Sequence, residues 1–150
     1  MAIVRYINVS LEKGKVKIPV DRALFVSNHG IEGDAHAGPG ARQVSVLSLE
    51  SIHGMEARFG SALGGGRFGE NLVIKGLDPT HVTPGTRLTI DERVVLEVVE
   101  IGKECHEGCE IRRVTGDCIM PREGLFCRVI TGGEVHTGAS VGWEPAPAPC

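Results

Sequence analysis

Aromatic side chains are scarce, only 4% of the 150 residues, with one Trp and one Tyr. Stacking platforms for single-stranded nucleic acid need several such rings, so that class is disfavoured at once. Charge of one sign is scarce too. A formal net charge of −3 and a pI of about 6.1 leave no basic footprint for nucleic acid or anionic lipid. No apolar run approaches the ~20 residues that a membrane-spanning helix requires. The opening residues, MAIVRYINVSLEKGK, meet charge at Arg5 and show no apolar stretch with a cleavage site behind it. Five cysteines, an odd number, then read as thiols of a reducing compartment and not as a disulfide frame. The cytoplasm is the expected location, with neither nucleic acid nor membrane as partner.

Long helical patterns are also missing. Short runs of β-formers alternate with turns built from 21 glycines, which describes a mainly β domain, a barrel or a sandwich. A composition of 41% apolar and 23% charged residues is enough for one globular core. Strands are expected at 2–9, at Lys15–Ile18 after a turn at Gly14, at 22–28, 44–47, 71–75, 87–90 and 93–100. Pro19 should end the second of these, and Asp91–Glu92 should turn the chain into the last. LFCRVIT and EVHT predict a hairpin about Gly132–Gly133. One amphipathic helix is expected where Leu49, Ile52, Met55 and Phe59 recur at helical spacing, capped by Ser48 and stopped at Gly60. The segment GIEGDAHAGPGARQ, residues 30–43, reads as a loop. The proline-alternating end, EPAPAPC, residues 144–150, reads as a disordered tail on a single domain of residues 1–143.

Chemistry concentrates between Cys105 and Cys127, in CHEGCEIRRVTGDCIMPREGLFC, which holds four of the five cysteines. Cys127 alternates with Leu125 and Val129, so it reads as a small core thiol. Cys105 sits beside Lys103 and His106, and Cys118 lies four residues before Arg122. Cationic neighbours favour a usable thiolate at both. The spacing C-x3-C-x8-C-x8-C lacks the paired C-x2-C knuckles of zinc ribbons, yet leaves a structural zinc site open. Gly64, Gly66 and Gly69 match the dinucleotide fingerprint, but a helix precedes them and a strand follows, the reverse of what that fingerprint needs. Asp34 and His36 in their glycine-lined loop suit acid–base or metal chemistry. An Asx turn with a solvated histidine is the plainer alternative and the favoured one on sequence. His29, His53, His81 and His136 read as surface or satisfied residues.

GIEGDAHAG with RQVSVLSLE, then GRFGENLVIKGLD, LEVVEIGKEC and GLFCRVITGGEVHTG, together resemble the MOSC domain. This is the module at the C-terminus of molybdenum cofactor sulfurases and of stand-alone bacterial proteins. The resemblance runs from about residue 3 to 143 and implies a MOSC-type β-barrel, similar to the pyruvate kinase β-barrel, with one or two short helices. It also implies that the protein binds molybdenum cofactor (molybdopterin) or carries sulfur through a cysteine. In the stand-alone branch that cysteine matches Cys105, although the usual Pro-Cys pair is Glu104-Cys105 here. In the amidoxime-reducing branch it matches Cys118.

On this resemblance Cys105 or Cys118 is the expected molybdenum ligand or persulfide carrier. A thiolate is a soft ligand suited to such a metal. Arg42, Arg112 and Arg122 are the expected partners of phosphate or pterin, His36 and Asn71 line the pocket, and Asp34 orients His36. Partners would be the cofactor or its biosynthetic enzymes, with a cysteine desulfurase or an electron donor. Lys103 beside Cys105 is too weak a basis for a pyridoxal phosphate site, a cofactor of the sulfurases' separate desulfurase domain. An enzyme, either a reductase of N-oxygenated compounds or a sulfurtransferase, a non-catalytic cofactor carrier, and a zinc-stapled domain without chemistry all remain open.

Overall fold

In the computed structural model, residues 2–10, 17–35, 37–40, 43–59, 70–78, 82–101 and 124–145 are described. The expected turn at Gly14, the helix stop at Gly60 and residues 146–150 of the tail expected at 144–150 lie outside them, while Glu144 of that tail is a strand residue. The apolar alternation at the start of the chain becomes β1 (Ala2–Val9), in which Ala2, Val4 and Ile7 face a buried core. A bulge between Val4 and Tyr6 resets that alternation. There follow β2 (Ile18–Val20), β3 (Arg22–Val26), β4 (Gly30–Ile31), β5 (Val44–Ser48), α1 (Leu49–Phe59), β6 (Leu72–Lys75), β7 (Arg87–Ile90), β8 (Val94–Ile101), β9 (Leu125–Thr131), β10 (Gly133–His136) and β11 (Ser140–Glu144).

Seven strands close on themselves in the order β11-β7-β8-β9-β5-β6-β1, with β11 returning to β1 through Ala2↔Val141 and Ile3↔Ser140. The fold is therefore mainly β, a closed barrel. Its interior is filled by aliphatic side chains from every strand of the ring, among them Val46, Ile74, Leu88, Leu96 and Val129. Closure removes the open edges that would otherwise invite pairing with other chains. β2 continues the sheet beyond β1, and β10-β3-β4 form a second, three-stranded sheet.

α1 joins the parallel pair β5 and β6, and its position follows from its N-terminus. Ser48 Oγ accepts the Ser51 N–H at 3.0 Å, the expected N-cap, and Glu50 accepts the Gly76 N–H at 3.0 Å. Leu47 and Val73, on the outer face of β5 and β6, are buried, as is Ile52 of the helix. The Asp91–Glu92 turn is also found, with both residues at positive φ and the Arg93 N–H donating to the Ile90 carbonyl, in a three-residue connection between the paired Ile90 and Val94.

Three expectations are corrected. Pro19 lies within β2, not beyond its end, and pairs with Asn8. It is tolerated because β2 is an edge strand with a single neighbour, so one missing N–H costs no ladder bond. The loop at 30–43 contains the short strand β4. The hairpin about Gly132–Gly133 does not form: β9 stays in the barrel between β8 and β5, and β10 leaves it to pair with β3. β11, which closes the ring, is a strand that the sequence reading left out. Its Ser-Val-Gly-Trp-Glu run buries only Val141 and shows little alternation.

Candidate functional site

Of the expected site residues, Asp34 and Asn71 are described. Cys105, Cys118, His36, Arg42, Arg112 and Arg122 lie outside the described residues. The frame around the thiol-bearing segment is nonetheless fixed. Ile101 at the end of β8 pairs with Leu125 at the start of β9, so the described residues on either side of 102–123 lie next to each other. The same cross-strand row continues through Val46 and Leu72 to Ile7.

Cys127 is fully buried in the barrel, as the alternation predicted. Desolvation pushes its thiol up to about 12 from 9.0, because the interior offers nothing to stabilise a thiolate. It is neither nucleophile nor ligand, and any working thiol must come from elsewhere in the chain.

Asp34 is buried, whereas the histidine that the Asx-turn reading left in solvent, His36, lies outside the described residues. Its Oδ1 accepts from the Lys17 ammonium at 2.7 Å and from the Ser10 N–H at 3.0 Å, and both charged side chains are fully inaccessible. The same ammonium donates to Ser10 Oγ at 3.3 Å. The carboxylate thus clasps the end of β1 and the start of β2 to the 30–37 loop. Lys17 went unrecognised in the sequence because a lysine in an alternating run reads as solvated. Ile18 beside it is 68% exposed, the reverse of what the residue types suggest.

Asn71 is also wholly buried. Its Oδ1 accepts from Ser45 N–H at 3.0 Å and its Nδ2 donates to the Asn8 carbonyl at 3.0 Å, so the carboxamide bridges β5 and β1 just before β6 begins. That polar work on the barrel's outer face explains why an amide precedes the apolar LVI. A second amide does the same between β9 and the 28–30 turn: Gln43 Oε1 accepts the Val129 N–H at 3.0 Å and Gln43 Nε2 donates to Asn28 Oδ1 at 3.2 Å. Asn8, beside Asn71, is buried, and among the described residues neither of its side-chain polar atoms has a partner.

Around this polar frame the 33–40 loop carries bare backbone. Gly33, Gly38 and Gly40 have positive φ, and a Cβ at any of them would meet nothing within 4 Å. Such a loop lets a ligand approach the main chain closely, though the Asp34, Ala35, Ala37 and Gly38 N–H groups already donate to carbonyls. Among the described residues no three His, Cys, Asp or Glu side chains are grouped to hold a metal, and no helix is long and apolar enough to cross a membrane.

The comparisons agree with this architecture. YuaD from Bacillus subtilis superposes with a TM-score of 0.77 at 19% identity, over 95% of this chain and 96% of that one. YiiM from Geobacillus stearothermophilus gives 0.71 at 18%, over 96% and 75%. YiiM from Escherichia coli gives 0.71 at 19%, over 98% and 72%. These likenesses are of fold. No match is found among curated proteins. The family model of the MOSC domain matches residues 32–142, most of the chain and every strand from β5 to β10, and the protein belongs to that molybdenum cofactor-associated family.

Proposed function

We propose that the protein binds molybdenum cofactor and presents one thiol of residues 102–123, Cys105 or Cys118, as molybdenum ligand or persulfide carrier. The observation that carries this reading is the family match, set beside a sealed Cys127 that cannot serve. The chain's own groups fit such a ligand. Thiolates suit a metal already held by sulfur, and the glycine loop leaves room for close approach, although the N–H groups of Asp34, Ala35, Ala37 and Gly38 already donate to main-chain carbonyls. When bound, the cofactor would supply two-electron chemistry at a metal, the kind needed to reduce an N-oxygenated compound.

The residues' roles divide accordingly. Arg42, Arg112 and Arg122 would meet the phosphate, as guanidinium forks do well. His36 would line the pocket. Asn71 would shape its floor without reaching into it, since both ends of its carboxamide already bond main chain. Asp34, neutralised by Lys17, would hold the loop and take no proton from substrate. The same thiol could serve a carrier that hands the cofactor on, and turnover with a hydroxylamine-type substrate separates that case from an enzyme.

Metal content decides the reading. Protein purified from a cofactor-competent host should contain molybdenum or tungsten by elemental analysis. Either Cys105→Ala or Cys118→Ala should lower that content by at least about tenfold. A persulfide would add the mass of one sulfur to a single cysteine, lost on reduction. Stoichiometric zinc, with no molybdenum and no added sulfur, would overturn it in favour of a zinc-stapled domain.

A further inference from the structure

One surface cavity among the described residues shares only Gly40 of the glycine loop with this reading. It has a volume of about 370 Å³ and is lined by Asn28, Gly40, Gly85, Glu97, Val99 and Arg128. That is a volume suited to a small organic molecule. It lies on the outer face of β8 and β9, against the 82–86 turn and the glycine loop.

Its polar groups can be assigned one by one. The Val129 N–H can only donate, so the Gln43 atom it meets is the carbonyl Oε1. The Gln43 amino group therefore faces Asn28, which must present its own oxygen there. That turns the Asn28 oxygen toward Gln43 and leaves its amino group, a donor only, without a partner among the described residues. The Asn28 N–H bonded to the Val129 carbonyl at 2.8 Å, together with φ of 53°, keeps the residue in place. A side chain other than Asn or Gly would be strained there.

The charges are unequal. Arg87, Glu97 and Arg128 are cross-strand partners in one row over β7, β8 and β9. Arg128 bonds Glu97 Oε1 at 2.8 Å, and Arg87 lies 4.0 Å from Oε2. One carboxylate thus answers two guanidiniums, and among the described residues it is the cavity's only charged acceptor. Arg128 is half exposed and keeps N–H groups beyond its bond to Glu97.

The geometry points to an oxyanion site: a small molecule bearing a carboxylate or phosphate, gripped between the Arg128 guanidinium and the Asn28 amino group. This stands whether or not the chain binds molybdenum cofactor. Exposed cross-strand charges alone would bind nothing, and the two readings make opposite predictions.

The test is a heteronuclear NMR titration of the full chain with inorganic phosphate at constant ionic strength. Saturable shifts are expected at the Gly85 and Val99 amides and at the Asn28 side-chain amino group. Arg128→Gln should weaken binding about tenfold or more, the usual loss with a charged hydrogen bond. Glu97→Gln should tighten it severalfold by removing the competing carboxylate. Arg93→Gln, on an exposed arginine paired with Asp91 away from the cavity, should change nothing. Protein loaded with cofactor identifies the source of the anion. Loss of phosphate binding there means the cofactor fills the site with its own phosphate, and retention means a separate molecule does. Shifts that never saturate, or equal effects of Arg128→Gln and Arg93→Gln, would overturn the site.

Discussion

Lys17 and Asp34 form the most consequential contact that the described residues make, because neither side chain touches water. A buried pair is a poor source of net stability, since desolvation offsets most of its Coulomb energy, yet breaking it strands a charge. Lys17→Met should therefore cost about 3–5 kcal/mol in urea unfolding. Adding Asp34→Leu to it should recover most of that loss. A single variant within about 0.5 kcal/mol of the parent would show that the pair is not buried in solution. Such a contact is invisible in a sequence, because burial of lysine depends on which distant residue answers it. Cys127 was legible for the opposite reason: its neighbours at two-residue spacing, Leu125 and Val129, are apolar and name the face by themselves. Asn71 stood between. Its place before a strand was evident, but its bonds run to Ser45 and Asn8, 26 and 63 residues away, and no local pattern reports those.

Strands within the barrel were readable wherever one face is wet, as in β8, where buried and half-buried residues alternate from Val94 to Val98. Pairing was harder to read than existence. Two β-runs about a Gly-Gly pair normally make a hairpin, and what defeats it here is proximity to a third strand. A Cβ on Gly132 would lie 2.4 Å from the Phe25 carbonyl oxygen and 3.1 Å from the Ser27 nitrogen, both main-chain atoms. The Gly132 N–H donates to Ser27 Oγ at 3.1 Å, and the chain crosses there from the barrel to β3. Gly132→Ala should accordingly destabilise by about 1–3 kcal/mol, the usual cost of forcing atoms into filled space. Gly142→Ala is the control, since a Cβ there meets nothing within 4 Å and should change stability by less than about 0.5 kcal/mol. Equal effects at both positions would mean that β10 does not pack against β3 in this way. The expected thiol segment lies outside the described residues, and its flanks, Ile101 and Leu125, are brought together by the register of β8 on β9, which no local pattern reports.

Closure makes the barrel a cooperative object, and the strand that closes it is among its least hydrophobic. β11 bonds β7 through four residue pairs and β1 through two, so peeling it away would open both edges at once. A weak strand held from two sides should not fray ahead of the rest. The chain carries its own reporter of this, for its one tryptophan, Trp143, lies in β11 opposite Leu88. Urea unfolding followed by Trp143 emission and by far-UV circular dichroism should give the same midpoint, to within the roughly 10–15% by which such extrapolations scatter, as all-or-none unfolding requires. An earlier transition in the emission would show β11 detaching from an otherwise intact sheet. The ring would then be held by the strong β8–β9 and β1–β6 pairings, with β11 no more than a latch.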